Sequence, residues 1–205
     1  MDLIGIIVLV VSFFFLLIVG VPIAYSIGVA GVLTMLVHID SLPALTTYAL
    51  RMASGLDSFA LLAIPFFILA GNIMNSGGIA LRLIDFAKVL VGRLPGGLAV
   101  VNVVANMLFG AISGSAAAAA SAIGSIMTPE MRKAGYDPNF SAAVNISSAT
   151  TGMTIPPSNV LIVYSLASGG VSVSALFMAG YLPGILTGVA IMIVAAFFAA
   201  KAGYT

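Results

Sequence analysis

TTGMTIPPSN, Thr150 to Asn159, interrupts a long apolar part of the chain with two prolines, a glycine, three threonines, a serine and an asparagine. Proline lacks a backbone donor and clashes with the preceding helical turn, and glycine weakens a helix. Against hydrocarbon, each freed N–H or C=O group would cost roughly several kcal/mol. The stretch therefore has to be shielded by protein, or face a cavity or a ligand. It reads as a break in a membrane helix.

Composition supplies the membrane. Of 205 residues, 61% are hydrophobic and 6% charged, and the mean hydropathy is +1.24. A soluble domain carries about a quarter charged residues. Six per cent cannot coat a water-soluble particle, so the fold class is an all-α polytopic membrane protein. The net charge is +1 and no basic cluster stands ready for phosphates, which argues against nucleic acid. Cysteine is absent, removing disulfides, thiol chemistry and cysteine metal sites; tryptophan is absent too. The opening MDLIGIIVLVVSFFFLLIVG lacks a basic n-region and a cleavage site, and reads as a retained first span.

Leu3 to Val37 is apolar for about 35 residues, beyond the ~20 needed to cross a bilayer. Gly20 and Pro22 interrupt it, and one long tilted or kinked helix is expected rather than two crossings. Leu42 to Gly55, with Thr46, Thr47, Arg51 and Ser54, fits either a short span or an interfacial helix. Phe59 to Asn75 is the next span and contains Pro65.

From Ile79 to Arg93, Arg82, Asp85, Lys88 and Arg93 recur at helical spacing among apolar residues, as in an amphipathic helix lying in the interface. Its basic residues, and Arg132 with Lys133, mark the cytoplasmic side. Between the two basic segments lie only about 32 residues, Gly97 to Thr128. Two legs of about 15 residues span roughly 22 Å each, too short to cross fully. A re-entrant hairpin fits, entering from the cytoplasm and turning at Ser113, Gly114 and Ser115; the alternative is one long helix with a displaced basic loop. Further on, Asp137 suits an N-cap and Pro138 the first helical position. That helix runs from Asn139 to about Ala149, breaks at Thr150 to Asn159, and resumes from Val160 to about Ala167. A last span, Ala175 to Ala200, ends at Lys201 on the cytoplasmic side. No Lys or Arg precedes Arg51, which favours an N-terminus outside the cytoplasm.

Two discontinuities in one membrane domain point to a transporter site near the midplane. Unwound carbonyls and hydroxyls suit a small cation, and half-helix N-termini suit an anion. From Leu94 to Thr128 and from Asn139 to Ala200 there is no Asp, Glu, Lys, Arg or His. A proton relay needs such groups. Neutral oxygens alone favour Na⁺ over H⁺, although a second half of the protein could supply a carboxylate.

Blander readings cover part of this. The Ala116–Ala120 run reads as small-residue helix packing, and Asn102, Asn106 and Asn145 fit interhelical hydrogen bonds as well as ion ligands. His38 reads as an ordinary interfacial residue. An intramembrane serine protease would need a base near Ser113 or Ser115, and the lone His38 is on another helix. An aspartyl enzyme lacks its buried Asp pair, a metal enzyme lacks ligands, and a pore lacks a filter loop or charged ring. No enzyme chemistry and no cofactor are expected.

The runs IPFFILAGNIMNSGGIALRLIDFA, LFGAISGSAAAAASAIGSIMTPEMRKAGYD and ATTGMTIPPSNVLIVYSLASG resemble the large permease (DctM-like) subunit of the tripartite ATP-independent periplasmic (TRAP) transporters. The resemblance implies the first inverted repeat of an elevator-type transporter, with a re-entrant helical hairpin and a broken helix. The implied layout is scaffold helices over 1–78, an amphipathic interfacial arm helix over 79–95, the hairpin over 96–134, the broken helix over 135–172 and a C-terminal transmembrane helix over 173–205. It implies import of organic acid anions such as dicarboxylates, keto acids or sialic acids across a bacterial inner membrane, driven by Na⁺. The implied partners are a small membrane subunit, a periplasmic solute-binding protein, membrane lipid and the second half of the large subunit. By motif, the Na⁺ ligands would be Ser113, Gly114 and Ser115 with Thr151, Gly152, Thr154 and Pro156. The solute would meet Ser115, Thr154, Ser158 and Asn159. Large permeases of the family are about twice this length, so this chain alone would supply one half-site and would not transport. A proton-coupled or passive transport component and a non-transporting scaffold half remain the alternatives.

Overall fold

A computed structural model describes residues 3–204, and every described regular element is helical. The chain divides into two compact units after Ser58.

The first unit holds α1 (Leu3–Ile18), α2 (Ile23–His38) and α3 (Ser41–Leu56). The expected single long helix over Leu3 to Val37 is not formed. Gly20 takes a left-handed φ of 89° and Pro22, at φ −56°, caps α2, so the chain reverses between the helices. The reversal brings Gly5 against His38, where a Cβ on Gly5 would lie 2.4 Å from the imidazole Nε2. The physical reason is local. A positive φ ends α1 and proline cannot donate back into it, so the interruption acts as a turn and not as a kink.

The second unit begins with α4 (Phe59–Ser76) and α5 (Ile79–Val91), which buries Ala80, Ile84 and Ala87 along one stripe. Next come α6 (Gly97–Ser113) and α7 (Ala116–Lys133), separated by two residues and packed on each other as a hairpin. Then follow α8 (Pro138–Ala149), the single turn α9 (Thr151–Thr154), α10 (Asn159–Ala167) and the 29-residue α11 (Val173–Lys201). Among the described residues α11 is the one helix long and apolar enough to cross a bilayer unaided; α1, α2 and α6 are shorter apolar helices.

The core forms around α6, of whose 17 residues 11 are buried. A helix apolar all round has to be wrapped on every side. It is wrapped by α4, α5, α7, α8, α9 and α11. Asp137 caps α8 as its spacing suggests, accepting from the N–H groups of Asn139 (2.9 Å) and Phe140 (3.0 Å).

The charges collect at one end of this unit. Lys88 on α5 pairs with Glu130 on α7 at 2.8 Å, and Arg132 and Lys133 close α7. The Lys201 end of α11 lies beside the hairpin base, where Gly96 meets Ala199 and the Tyr136 and Tyr204 rings stack at 4.3 Å.

Tyr136, in the loop before α8, is buried, with its hydroxyl near the Leu98 and Ala99 backbone. Burial pushes its phenol above the ordinary 10.0; the Leu98 and Ala99 backbone pulls it down, and Tyr204 pushes it up again. A raised folded-state pKa means that stability is held below the unfolded value and lost as pH rises through the folded one. Thermal stability should therefore be flat through neutrality and fall above about pH 10, with that alkaline slope reduced in Tyr136→Phe. An unchanged slope in the variant would assign it to other groups.

Candidate functional site

The hairpin tip and the helix break meet. Gly114, at φ 63°, ends α6, and Ser115, in extended conformation, caps α7 by accepting from the Ala118 N–H at 3.3 Å. The Gly114 carbonyl accepts from the Asn159 N–H at 3.3 Å, joining the two discontinuities directly. A Cβ on Gly114 would lie 2.8 Å from the Pro157 carbonyl oxygen and 3.5 Å from Asn159 Oδ1. Glycine is required at that turn for its φ and for this approach.

The break is shorter than the sequence suggests. Within Thr150 to Asn159 the chain keeps one helical turn, α9, entered through the turn residue Thr150, and leaves the helix again from Ile155 to Ser158. The turn persists because side chains replace what proline removes. Ser158 Oγ donates to the Met153 carbonyl at 2.5 Å and accepts from the Leu161 N–H at 3.4 Å, while the Ile155 N–H reaches the Thr151 carbonyl at 2.8 Å. One serine thus satisfies the end of one half-helix and the start of the other, as the membrane rule on backbone groups demands.

The residues named from the sequence separate into two faces. Ser113, Gly114, Ser115, Gly152 and Asn159 stand together at the tip. Gly152 lies close enough to Gly110 that a Cβ on Gly110 would come within 2.3 Å of the Gly152 Cα. Thr151 is buried beneath, its hydroxyl donating to the Ser148 carbonyl at 2.6 Å. Thr154 and Pro156 face α11: a Cβ on Gly180 would lie 2.8 Å from the Thr154 carbonyl oxygen and 3.3 Å from the Pro156 ring. Gly184 approaches Ile155 in the same way, so glycines at helical spacing on α11 admit the non-helical backbone. The site lies well within the length of α11, since Gly184 is roughly 16 Å from its start and 25 Å from Lys201 at 1.5 Å per residue.

Chemically, the junction offers neutral oxygens. The Pro157 carbonyl and Asn159 Oδ1 converge on Gly114, and Asn159 Oδ1 is buried without a partner among the described residues. Hard oxygen donors of this kind suit a small cation. Among the described residues no cluster of His, Cys, Asp or Glu could hold a transition metal.

The buried asparagines act as interhelical hydrogen-bonding groups. Asn106 Nδ2 lies 2.7 Å from Asn102 Oδ1, 2.8 Å from Ser148 Oγ and 3.1 Å from Asn145 Oδ1. Asn145 Nδ2 donates to the Ala120 carbonyl at 2.9 Å, in space that a Cβ on Gly124 would fill. This network fastens α8 to both arms of the hairpin.

Sequence reasoning missed Asn72 and Asn75 on α4. With Ser113, Ser115 and Ser121 they line a cavity of about 300 Å³ between α4 and the hairpin. The available signal was two amides three residues apart near the end of an apolar span.

The family model for the tripartite ATP-independent periplasmic transporter, DctM component, matches residues 10–205. A Salmonella typhimurium protein called YgiK is 59% identical over 97% of this chain and 46% of its own length. The C4-dicarboxylate TRAP transporter large permease protein DctM of Vibrio cholerae is 47% identical over 87% of the chain and 39% of its own. The sialic acid TRAP transporter large permease protein SiaM of the same organism is 40% identical over 92% and 44%. The chain thus spans less than half the length of these relatives, of which the two permeases are named as transporter subunits and not as enzymes. With its hairpin, its broken helix and this breadth of similarity, the chain belongs to the DctM family of TRAP transporter large permease subunits.

Proposed function

We propose that this chain forms one half of the large membrane subunit of a Na⁺-driven importer of organic acid anions in a bacterial inner membrane. The observation that carries this reading is the Gly114–Asn159 contact, which joins hairpin tip and helix break around neutral oxygens. Two discontinuous helices meeting this way are the arrangement from which secondary transporters build ion and solute sites. Na⁺ would sit at the junction, held by oxygens of the tip (Ser113, Gly114, Ser115) and of the break beside it (Thr151, Gly152), with Thr154 and Pro156 on the α11 side shaping the break behind it. An anionic solute would meet Ser115, Ser158 and Asn159, near the N-terminal ends of α7 and α10, with Thr154 set behind them toward α11. The names of the relatives, covering C4-dicarboxylates and sialic acid, support an organic acid as cargo.

In this reading the hairpin is re-entrant, its basic base on the cytoplasmic side, and the amphipathic α5 is the interfacial arm. The layout is scaffold 1–78, arm 79–95, hairpin 96–134, broken helix 135–172 and terminal span 173–205. The hairpin and broken helix then move as an elevator against the scaffold. The second half of the large subunit completes the site, a small membrane subunit braces it, and a periplasmic binding protein delivers the acid.

The test is thermal unfolding of the assembled transporter in NaCl against choline chloride. At a hundred times its Kd, an ion bound only by the folded state adds about 2.7 kcal/mol. Ser115→Ala also removes the α7 cap, which lowers stability in both salts by about 1 kcal/mol. The expected result is a Na⁺-specific shift in the wild type that is lost in the variant. Equal stability in the two salts would overturn Na⁺ coupling and favour a proton-coupled or passive component.

A further inference from the structure

The hairpin tip has a second side. Its Gly110–Gly114 face packs on the break, whereas Ser113 and Ser115 turn toward α4, where a Cβ on Gly71 would lie 3.3 Å from the Ser113 Cβ. Beside that contact is the cavity of about 300 Å³, lined by Asn72, Asn75, Ser113, Ser115 and Ser121 over Phe109. Asn72 and Asn75 share a helix face, both are exposed, and neither side chain has a hydrogen-bond partner among the described residues. Unpaired amides on an apolar helix cannot stand against hydrocarbon without a large cost, so this face has to meet water, a polar ligand or polar groups of the second half. The contrast with the larger groove of about 510 Å³ between α8 and α11 is chemical. That groove is walled by Phe140, Val144, Val194 and Phe198 and offers little to bind a polar solute.

We propose that the α4 cavity is a solute subsite in which Asn72 and Asn75 determine specificity by hydrogen bonding the uncharged oxygen groups of an organic acid. The inference rests on the organic-acid reading above. The cavity is lined by no charged residue. It therefore cannot neutralise a carboxylate with a cation, but its amides and hydroxyls can both donate to and accept from hydroxyl or carbonyl groups. Its volume is at the lower end of small-molecule sites, about 300–1,000 Å³, which suits a short acid or one end of a longer one. Ser115 lies on the wall shared with the tip, so the acid's charged end meets the ion site while its uncharged part lies along α4.

Two measurements on the assembled transporter test this. This chain has no cysteine. Asn72→Cys and Asn75→Cys, in a transporter free of other reactive thiols, should react with a water-soluble cationic thiosulfonate at least ~10 times faster than Ile73→Cys. Equal rates overturn the proposal without any acid present. Uptake of succinate, malate and N-acetylneuraminate is then compared in Asn72→Leu and Asn75→Leu. For whichever acid the wild type takes up with Na⁺, KM should rise ~10-fold or more while the half-saturating Na⁺ concentration stays unchanged, because lost pairing leaves buried solute groups unsatisfied. Na⁺-dependent uptake with unchanged KM overturns the subsite and leaves the organic-acid reading intact. Absence of Na⁺-dependent uptake of all three acids removes that reading and the subsite with it.

Discussion

Gly110→Ala is expected to destabilise the protein by about 3 kcal/mol or more, at or beyond the top of the ~1–3 kcal/mol usual for overpacked sites. The added Cβ would lie 2.3 Å from the Gly152 Cα and 2.9 Å from the Gly152 backbone N. Both are backbone atoms of the broken helix, so no side chain can rotate away. Relief requires α6 and α9 to separate, and the contact between Gly114 and Asn159 spans the same interface. The substitution should therefore also abolish any Na⁺-specific stabilisation. Gly31→Ala is the control: it sits on α2, and a Cβ there meets nothing within 4 Å. In a helix interior that change is neutral to stabilising by up to about 1 kcal/mol. Thermal unfolding of both variants in detergent decides the matter. A Gly110→Ala protein as stable as wild type would mean that the hairpin and the break do not approach as described.

Asn106→Ala is expected to cost about 3 kcal/mol, by a different mechanism. The side chain is fully buried, and its amide is the common donor for Asn102 Oδ1, Asn145 Oδ1 and Ser148 Oγ. Truncation leaves Asn102 Oδ1 and Asn145 Oδ1 without a donor at roughly 1 kcal/mol each, while Ser148 keeps its bond to the Val144 carbonyl, and the small cavity adds about 1 kcal/mol more. Average interhelical hydrogen bonds in membranes are weaker, about 0.6 kcal/mol, because the separated helices find other partners. Here the stranded acceptors are themselves buried. Asn102→Ala is the comparison. It removes an acceptor at 2.7 Å and a 3.6 Å contact to Met131 Sδ, and should cost less than half as much. Equal losses in both variants would show that cavity formation, and not the stranded acceptors, sets the penalty.

Much of the architecture was legible because membranes leave the backbone few choices. The hairpin tip at Ser113 to Ser115 follows from the spacing of the basic segments and from the Gly-Ser turn; the structure ends α6 at Ser113 and starts α7 at Ala116. Asp137 and Pro138 announced α8, since an N-cap acceptor followed by a residue without an N–H is a local instruction. The N-terminal segment was not legible in the same way. Gly20 and Pro22 fit a kink and a reversal equally well, and the choice depends on whether α2 finds a packing surface on α1. It does, with Gly5 beside His38.

The candidate site divides along the same line. The sequence determined by itself that the chain is a membrane protein, that its helices break at Ser113–Ser115 and near Pro156–Pro157, and that the broken backbone needs shelter. These consequences are local or compositional: proline and glycine act on their own turn, and hydropathy is a sum over residues. Only the tertiary structure decided that the two breaks touch through Gly114 and Asn159. It also turned Thr154 and Pro156 toward α11 and set Asn72 and Asn75 opposite the hairpin serines. Those facts depend on which helix faces pack together. Packing is settled by the missing side chains of Gly110, Gly152, Gly180 and Gly184, whose close approaches are pairwise and far apart in sequence.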